Sequence, residues 1–176
     1  MIRSGALISL LLLISPIPAW SAESNGMAAE STNAVSDAYQ ADISLHRSNW
    51  KASMDKAVDY VKNGDYATAQ KMTDIARREA CAIDSSGSSV AETEKMAGDI
   101  AMAQNNLTAA ERCYRRSVYL YDRAESPDKS EFAAALTSYA NLLKRENRVR
   151  EASRFEMQAN SLRRDDKATA EANRSL

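Results

Sequence analysis

Glycine, proline and aromatic residues are scarce in this chain: five Gly, three Pro and 6% Phe, Trp and Tyr among 176 residues. That shortage, with plentiful Ala, Glu, Lys, Arg and Leu, is the composition of helices and argues against sheets. Histidine is nearly missing, and a Ser/His/Asp triad would depend on the single imidazole of His46, which reads as an ordinary exposed side chain. Charge of one sign is missing as well. With 23 basic against 24 acidic residues, nothing in the balance draws the chain to nucleic acid or to an anionic membrane. There is no His/Cys/Asp/Glu cluster at metal-ligand spacing, no glycine-rich phosphate loop, and no Gly-x-Ser-x-Gly or HExxH arrangement. Carboxylate pairs such as Asp165-Asp166 stand in polar sequence, without the desolvation that tunes acid/base work. The expectation is a chain with no catalytic residues, no metal and no cofactor, hence not an enzyme.

An apolar content of 44% is enough for one packed core. The first residues read as an export signal over 1–21: Arg3, the apolar run Ala6 to Ile14, the breakers Pro16 and Pro18, and Ala19-Trp20-Ser21 before a mature start at Ala22. The apolar run falls short of the roughly 20 residues a bilayer span needs, so no stable membrane insertion is expected once the signal is cleaved. Periplasmic or secreted localisation follows as the expectation. An exported setting makes a Cys81–Cys113 disulfide the reflex guess. Nine residues out of register on neighbouring helices, however, the two are offset by about 13 Å at ~1.5 Å per residue, too far to bridge. Two buried or half-buried free thiols are expected.

What the chain does have is recurrence. The turns Asn63-Gly64-Asp65-Tyr66, Gln104-Asn105-Asn106-Leu107 and Glu146-Asn147-Arg148-Val149 are each followed, three residues past the apolar member, by a small residue: Ala69, Ala110 and Ala152. The near-constant spacing, 41 and then 42 residues, predicts a helical repeat array. Met54, Ala57, Val58 and Val61 pair with Tyr66, Ala69, Met72, Ala76 and Ala80. Met96, Ala97, Ile100 and Ala101 pair with Leu107, Ala110, Cys113, Tyr114, Val118 and Tyr121. Leu136, Tyr139, Ala140 and Leu143 pair with Val149, Ala152, Phe155, Ala159 and Leu162. Loops are expected at Ser85–Ser89 and Ser126–Lys129. Residues 22–48 read as a flexible leader whose second half can form a capping helix, residues 49–165 as three hairpins (about 50–83, 91–124 and 133–165), and 166–176 as a polar tail. Three units are about the minimum at which such hairpins bury their apolar stripes. The Arg doublets at 77–78, 115–116 and 163–164 read as a solvated outer face.

From Trp50 to Arg164 the chain resembles tetratricopeptide repeats, and its long period resembles the variety found in kinesin light chains. The family's small first-helix residue is matched by Ala57, Gly98 and Ala140, its turn glycine by Gly64 with Asn105 and Asn147 as stand-ins, and its small second-helix residues by Ala69, Ala110 and Ala152, then Ala76, Ser117 and Ala159. Lys56, Ser53, Thr93 and Glu156 depart from the pattern. The resemblance implies an all-α fold, a right-handed α-solenoid of three helix-turn-helix repeats. It further implies a groove lined by first helices, placing there Lys51, Met54, Asp55, Val58 and Lys62, then Lys95, Met96, Asp99 and Met102, then Thr137, Ser138, Asn141 and Arg145. Methionine offers adaptable apolar contact, and Asn141 with Arg145 suits a backbone or a carboxylate. The clamp that some relatives use for a chaperone's C-terminal carboxylate is absent, since its places hold Met54, Val58, Met96, Ala134 and Ser138. The function expected is an exported, non-enzymatic scaffold that binds a peptide or protein partner in cell-envelope assembly. A structural, self-associating homo-oligomer is the alternative.

Overall fold

The computed structural model describes the backbone of residues 20–84 and 87–174, with side chains from residue 35 onward. Over these residues the chain is all-α. Six helices follow one another, α1 (Trp20–Lys62), α2 (Tyr66–Ile83), α3 (Ser88–Ala103), α4 (Leu107–Arg123), α5 (Lys129–Arg145) and α6 (Val149–Arg174), with no strand among the described residues. Two compact units are separable, residues 1–40 and 41–176. In the first, residues 20–40 are helix, with Val35 and Tyr39 exposed. The second holds the core. The expected export signal lies outside the described residues as far as residue 19. No helix among the described residues is long and apolar enough to cross a membrane.

The hairpins close on three copies of one turn. Gly64, Asn105 and Asn147 are the only described residues with positive φ, at 77°, 59° and 65°. Each is the left-handed C′ residue of a Schellman motif, where the absence of a Cβ or a short amide side chain makes the conformation accessible. The bonds repeat with the residues: Gly64 N–H to Val61 O, Asn105 N–H to Met102 O and Asn147 N–H to Lys144 O, all 3.0 Å. They are joined by Asp65 N–H to Tyr60 O at 2.9 Å, and by Asn106 N–H to Ala101 O and Arg148 N–H to Leu143 O at 2.8 Å. The next helix is then capped from the same turn, as Asp65 accepts from Thr68 N–H and Asn106 from Ala109 N–H. Asp128 caps α5 in the same way through Ser130 and Glu131.

Five residues beyond each left-handed position stands an alanine with no exposed surface: Ala69, Ala110 and Ala152. Ala57, Ala76, Ser117 and Ala140 are equally sealed, and Ala159 nearly so. Small side chains at these crossings let helices approach closely. Around them lie two apolar clusters, one built on Val90, Leu120, Tyr121, Phe132 and Leu136, the other on Tyr114, Tyr139, Leu142 and Leu143. Val118 and Phe155 touch both. The rings of Tyr121 and Phe132 stack at 5.5 Å, and those of Tyr139 and Phe155 meet at 4.7 Å. Packing pairs α3 with α4 and α5 with α6 as hairpins, while α2 against α3, α4 against α5 and α3 against α5 join one hairpin to the next.

Residues 22–48, expected as a flexible leader whose second half can form a capping helix, are helix throughout. Other expectations are corrected. His46, expected exposed, is half-buried, its Nδ1 2.7 Å from Glu79 Oε2 of α2. That hydrogen bond raises the imidazole pKa above its ordinary value, against desolvation and helped by the charges of Asp42 and Glu79. The polar residues at Ser53 and Thr93, where a bulky side chain is usual, are made good by Trp50, which packs on the first cluster and donates its indole N–H to Thr93 Oγ1 at 2.9 Å. Both thiols are free. Cys113 is half-buried, but Cys81 is exposed. The polar tail from residue 166, expected to fray or to form a solvating last helix, continues α6 to Arg174.

Candidate functional site

Helices α1, α3 and α5 are successive neighbours, tied by the Trp50–Thr93 bond on one side and by Arg145 of α5 on the other. Arg145 donates from Nη2 to Asn105 Oδ1 at 2.8 Å and reaches Met102 O from Nη1 at 3.4 Å, so it closes the C-terminal end of α3. Lys51, Asp55, Asn141 and Arg145 are exposed, and Val58, Lys95, Met96, Asp99, Met102, Thr137 and Ser138 half-buried. Lys62 is exposed and paired with Asp59. Met54, at 6% exposure, belongs to the core and offers a ligand almost no surface.

The structure brings the α3 and α5 members together and divides them by role. Asp99 takes Lys95 Nζ at 2.9 Å on one oxygen and the hydroxyl of Tyr114 at 2.7 Å on the other. Ser138 is a further hydrogen-bond neighbour of that phenol, whose own ionisation is pushed far up by burial and then by Asp99. Thr137 turns away from this set toward α6: its hydroxyl donates to Ala133 O at 2.7 Å and accepts from Arg163 Nη2 at 2.9 Å. Lys95, Asp99 and Arg145 therefore already hold partners. Lys51, Asp55 and Asn141 carry no hydrogen bond or ion pair among the described residues.

Glu92 went unread in the sequence. It lies three residues before Lys95 and seven before Asp99, the helical spacing of the same stripe, and that periodicity was the available signal. It is half-buried and has no hydrogen bond. Desolvation, reinforced chiefly by the Glu131 carboxylate and also by Asp128 and Asp55, pushes its pKa up to about 7 against the pull of Lys95. The hydroxyl of Tyr121, whose residue is 1% exposed, also lacks a hydrogen-bond partner and feels the carboxylates of Glu92, Glu131 and Asp128. The N-terminal end of this face thus has negative charge in excess of local cations. No group of three or more His, Cys, Asp or Glu side chains among the described residues has the geometry to hold a metal ion.

The opposite faces of the hairpins differ in kind. Arg77, expected on a solvated face, is half-buried, with Nη1 on Asp74 at 2.7 Å and Nε on Glu94 at 3.1 Å. Arg78, Arg115, Arg116, Arg163 and Arg164 are exposed as expected. At the third turn Arg148 gathers Glu111, Glu146 and Glu151, at 2.8 to 2.9 Å, and so fastens α4 to α6. Compared with protein-family models, with curated proteins and with solved structures, the chain finds no match in any of the three.

Proposed function

We propose that this chain is an exported, non-enzymatic interaction scaffold of the tetratricopeptide-repeat kind, which binds a peptide or protein partner along the face of α1, α3 and α5 and serves in assembling an envelope complex. The observation that carries the reading is the make-up of that face. On these helices Lys51, Asp55 and Asn141 are exposed polar side chains without partners, and the thioethers of Met96 and Met102 are half-buried. Fixed helices thereby offer adaptable apolar contacts together with free hydrogen-bonding groups, the two ingredients that peptide recognition uses. The crowding of the Glu92 carboxyl by Glu131 and Asp128 favours a partner segment with a cationic side chain, since an opposite charge brought close stabilises the ionised form.

Selection of a random peptide library on the immobilised residues 22–176 tests this. A consensus that contains Lys or Arg is expected, and Met96→Ala with Asn141→Ala abolishes its enrichment. No consensus, or the same one on the double variant, contradicts the reading.

Self-association is the second reading, favoured by Met157 and Val149, which stand 64% and 53% exposed two turns apart on the last helix. A terminal helix of a stack leaves such surface uncovered. Multi-angle light scattering that gives a monomer at high concentration removes it; a concentration-dependent dimer lost in Met157→Lys supports it.

A further inference from the structure

Between α2 and α4, floored by α3, lies a cavity of about 600 Å3. Ala97 and Ala101 form the floor, and their small side chains give it depth. Arg77 closes it from α2, Arg112 and Arg116 from α4, and Glu94 rises from α3. On α3 the residues Glu94, Ala97 and Ala101 occupy a different face from Lys95, Asp99 and Met102, as ~100° per residue requires. The cavity is therefore separate from the peptide face and does not depend on it.

Its walls are unbalanced in charge. Glu94 is 4% exposed, and its Oε1 accepts a hydrogen bond from Arg77 Nε at 3.1 Å and forms an ion pair with Arg116 Nε at 3.6 Å. Arg77 is held twice, because Asp74 also takes its Nη1 at 2.7 Å. Arg116 reaches the carboxylate only at long range and through Nε, so its terminal amino groups stay available. Arg112, one turn earlier on the same helix, has no carboxylate partner among the described residues. Three guanidiniums thus line the cavity beside one carboxylate, and Arg112 and Arg116 keep N–H donors to spare over an apolar floor. A planar fork of donors suits a carboxylate or phosphate oxygen pair. The volume falls in the range of small-molecule sites and is far larger than a bare ion fills.

We propose that this cavity binds a small organic anion, its carboxylate or phosphate group held by Arg112 and Arg116 and its uncharged body resting on Ala97 and Ala101. Glu94 acts as the buried post that orients Arg116, and the ligand would neutralise the positive charge Glu94 leaves over.

Benzoate and phenyl phosphate share one body and differ in head group, so they separate the two sources of the oxyanion. Sodium chloride at matched ionic strength is the reference. In a Cys81→Ser background, Cys113 lines the same cavity and reports occupancy by its rate of maleimide labelling. The expected result is that one of the two anions at millimolar concentration slows Cys113 labelling at least threefold and raises the Tm relative to chloride. Both effects vanish in Arg112→Gln with Arg116→Gln and persist in the exposed control Arg154→Gln. Protection and Tm equal to those in chloride for both anions, or protection that survives the double substitution, overturns the proposal.

Discussion

A Cβ placed on Gly98 would lie 2.5 Å from Cε1 and 2.6 Å from Cδ1 of the Tyr114 ring. The ring is 2% exposed and its hydroxyl is tethered to Asp99, so it has nowhere to move. Alanine in a helix is ordinarily better than glycine by about 1 kcal/mol. Here Gly98→Ala is expected to destabilise by about 1 to 3 kcal/mol, as overpacked cores do. Urea unfolding checks this, and a variant as stable as wild type or more so contradicts the close approach of α3 and α4.

The three left-handed turns are separable from packing at one position. Nothing lies within 4 Å of a Cβ built on Gly64, so any cost of Gly64→Ala there is backbone strain alone. A loss of about 1 to 2 kcal/mol is expected. Asn147→Gly, at φ 65°, is expected to be neutral or stabilising, while Asn147→Ala destabilises. Equal stability of all three turn variants in chemical denaturation would show that the turns do not set the hairpins.

Ala110 and Ala152 are completely buried at equivalent crossings. Leucine at either is expected to cost about 1 to 3 kcal/mol, a large share of a typical stability of about 5 to 15 kcal/mol. Unchanged Tm values for Ala110→Leu and Ala152→Leu would mean that the helices do not meet there.

Glu92 makes stability depend on pH with a definite sign. Its folded pKa, about 7, exceeds the ordinary carboxyl value of about 4.3. Between these values the folded chain binds more protons than the unfolded chain, so stability falls as pH rises and levels off above 7. Glu92→Gln removes this slope and is expected to stabilise the protein more at pH 8 than at pH 4. Denaturation midpoints of the two proteins across that range decide it; parallel curves contradict the unneutralised carboxyl.

What the sequence made legible was local. The turn residues Gly64, Asn105 and Asn147 and the alanines at fixed distance from them follow from chemistry within one turn, and each stands where that chemistry put it. The site was less legible because its determinants join residues distant in the chain. Trp50 bonds a residue 43 positions later and His46 one 33 later, which no periodicity marks. Arg77 reads as a surface doublet until α3 delivers Glu94 against it. Met54 shares helical spacing with true surface residues, and its burial in the folded chain makes it core.

The face of α1, α3 and α5 is tested most directly by methionine-methyl NMR, because Met96 and Met102 lie on it while Met72 and Met157 lie on α2 and α6. Titration of a library-selected basic peptide into 13C-methyl-methionine protein is expected to shift the Met96 and Met102 signals and leave those of Met72 and Met157 in place. Shifts at Met157 or Met72 with Met96 and Met102 unmoved would contradict the account.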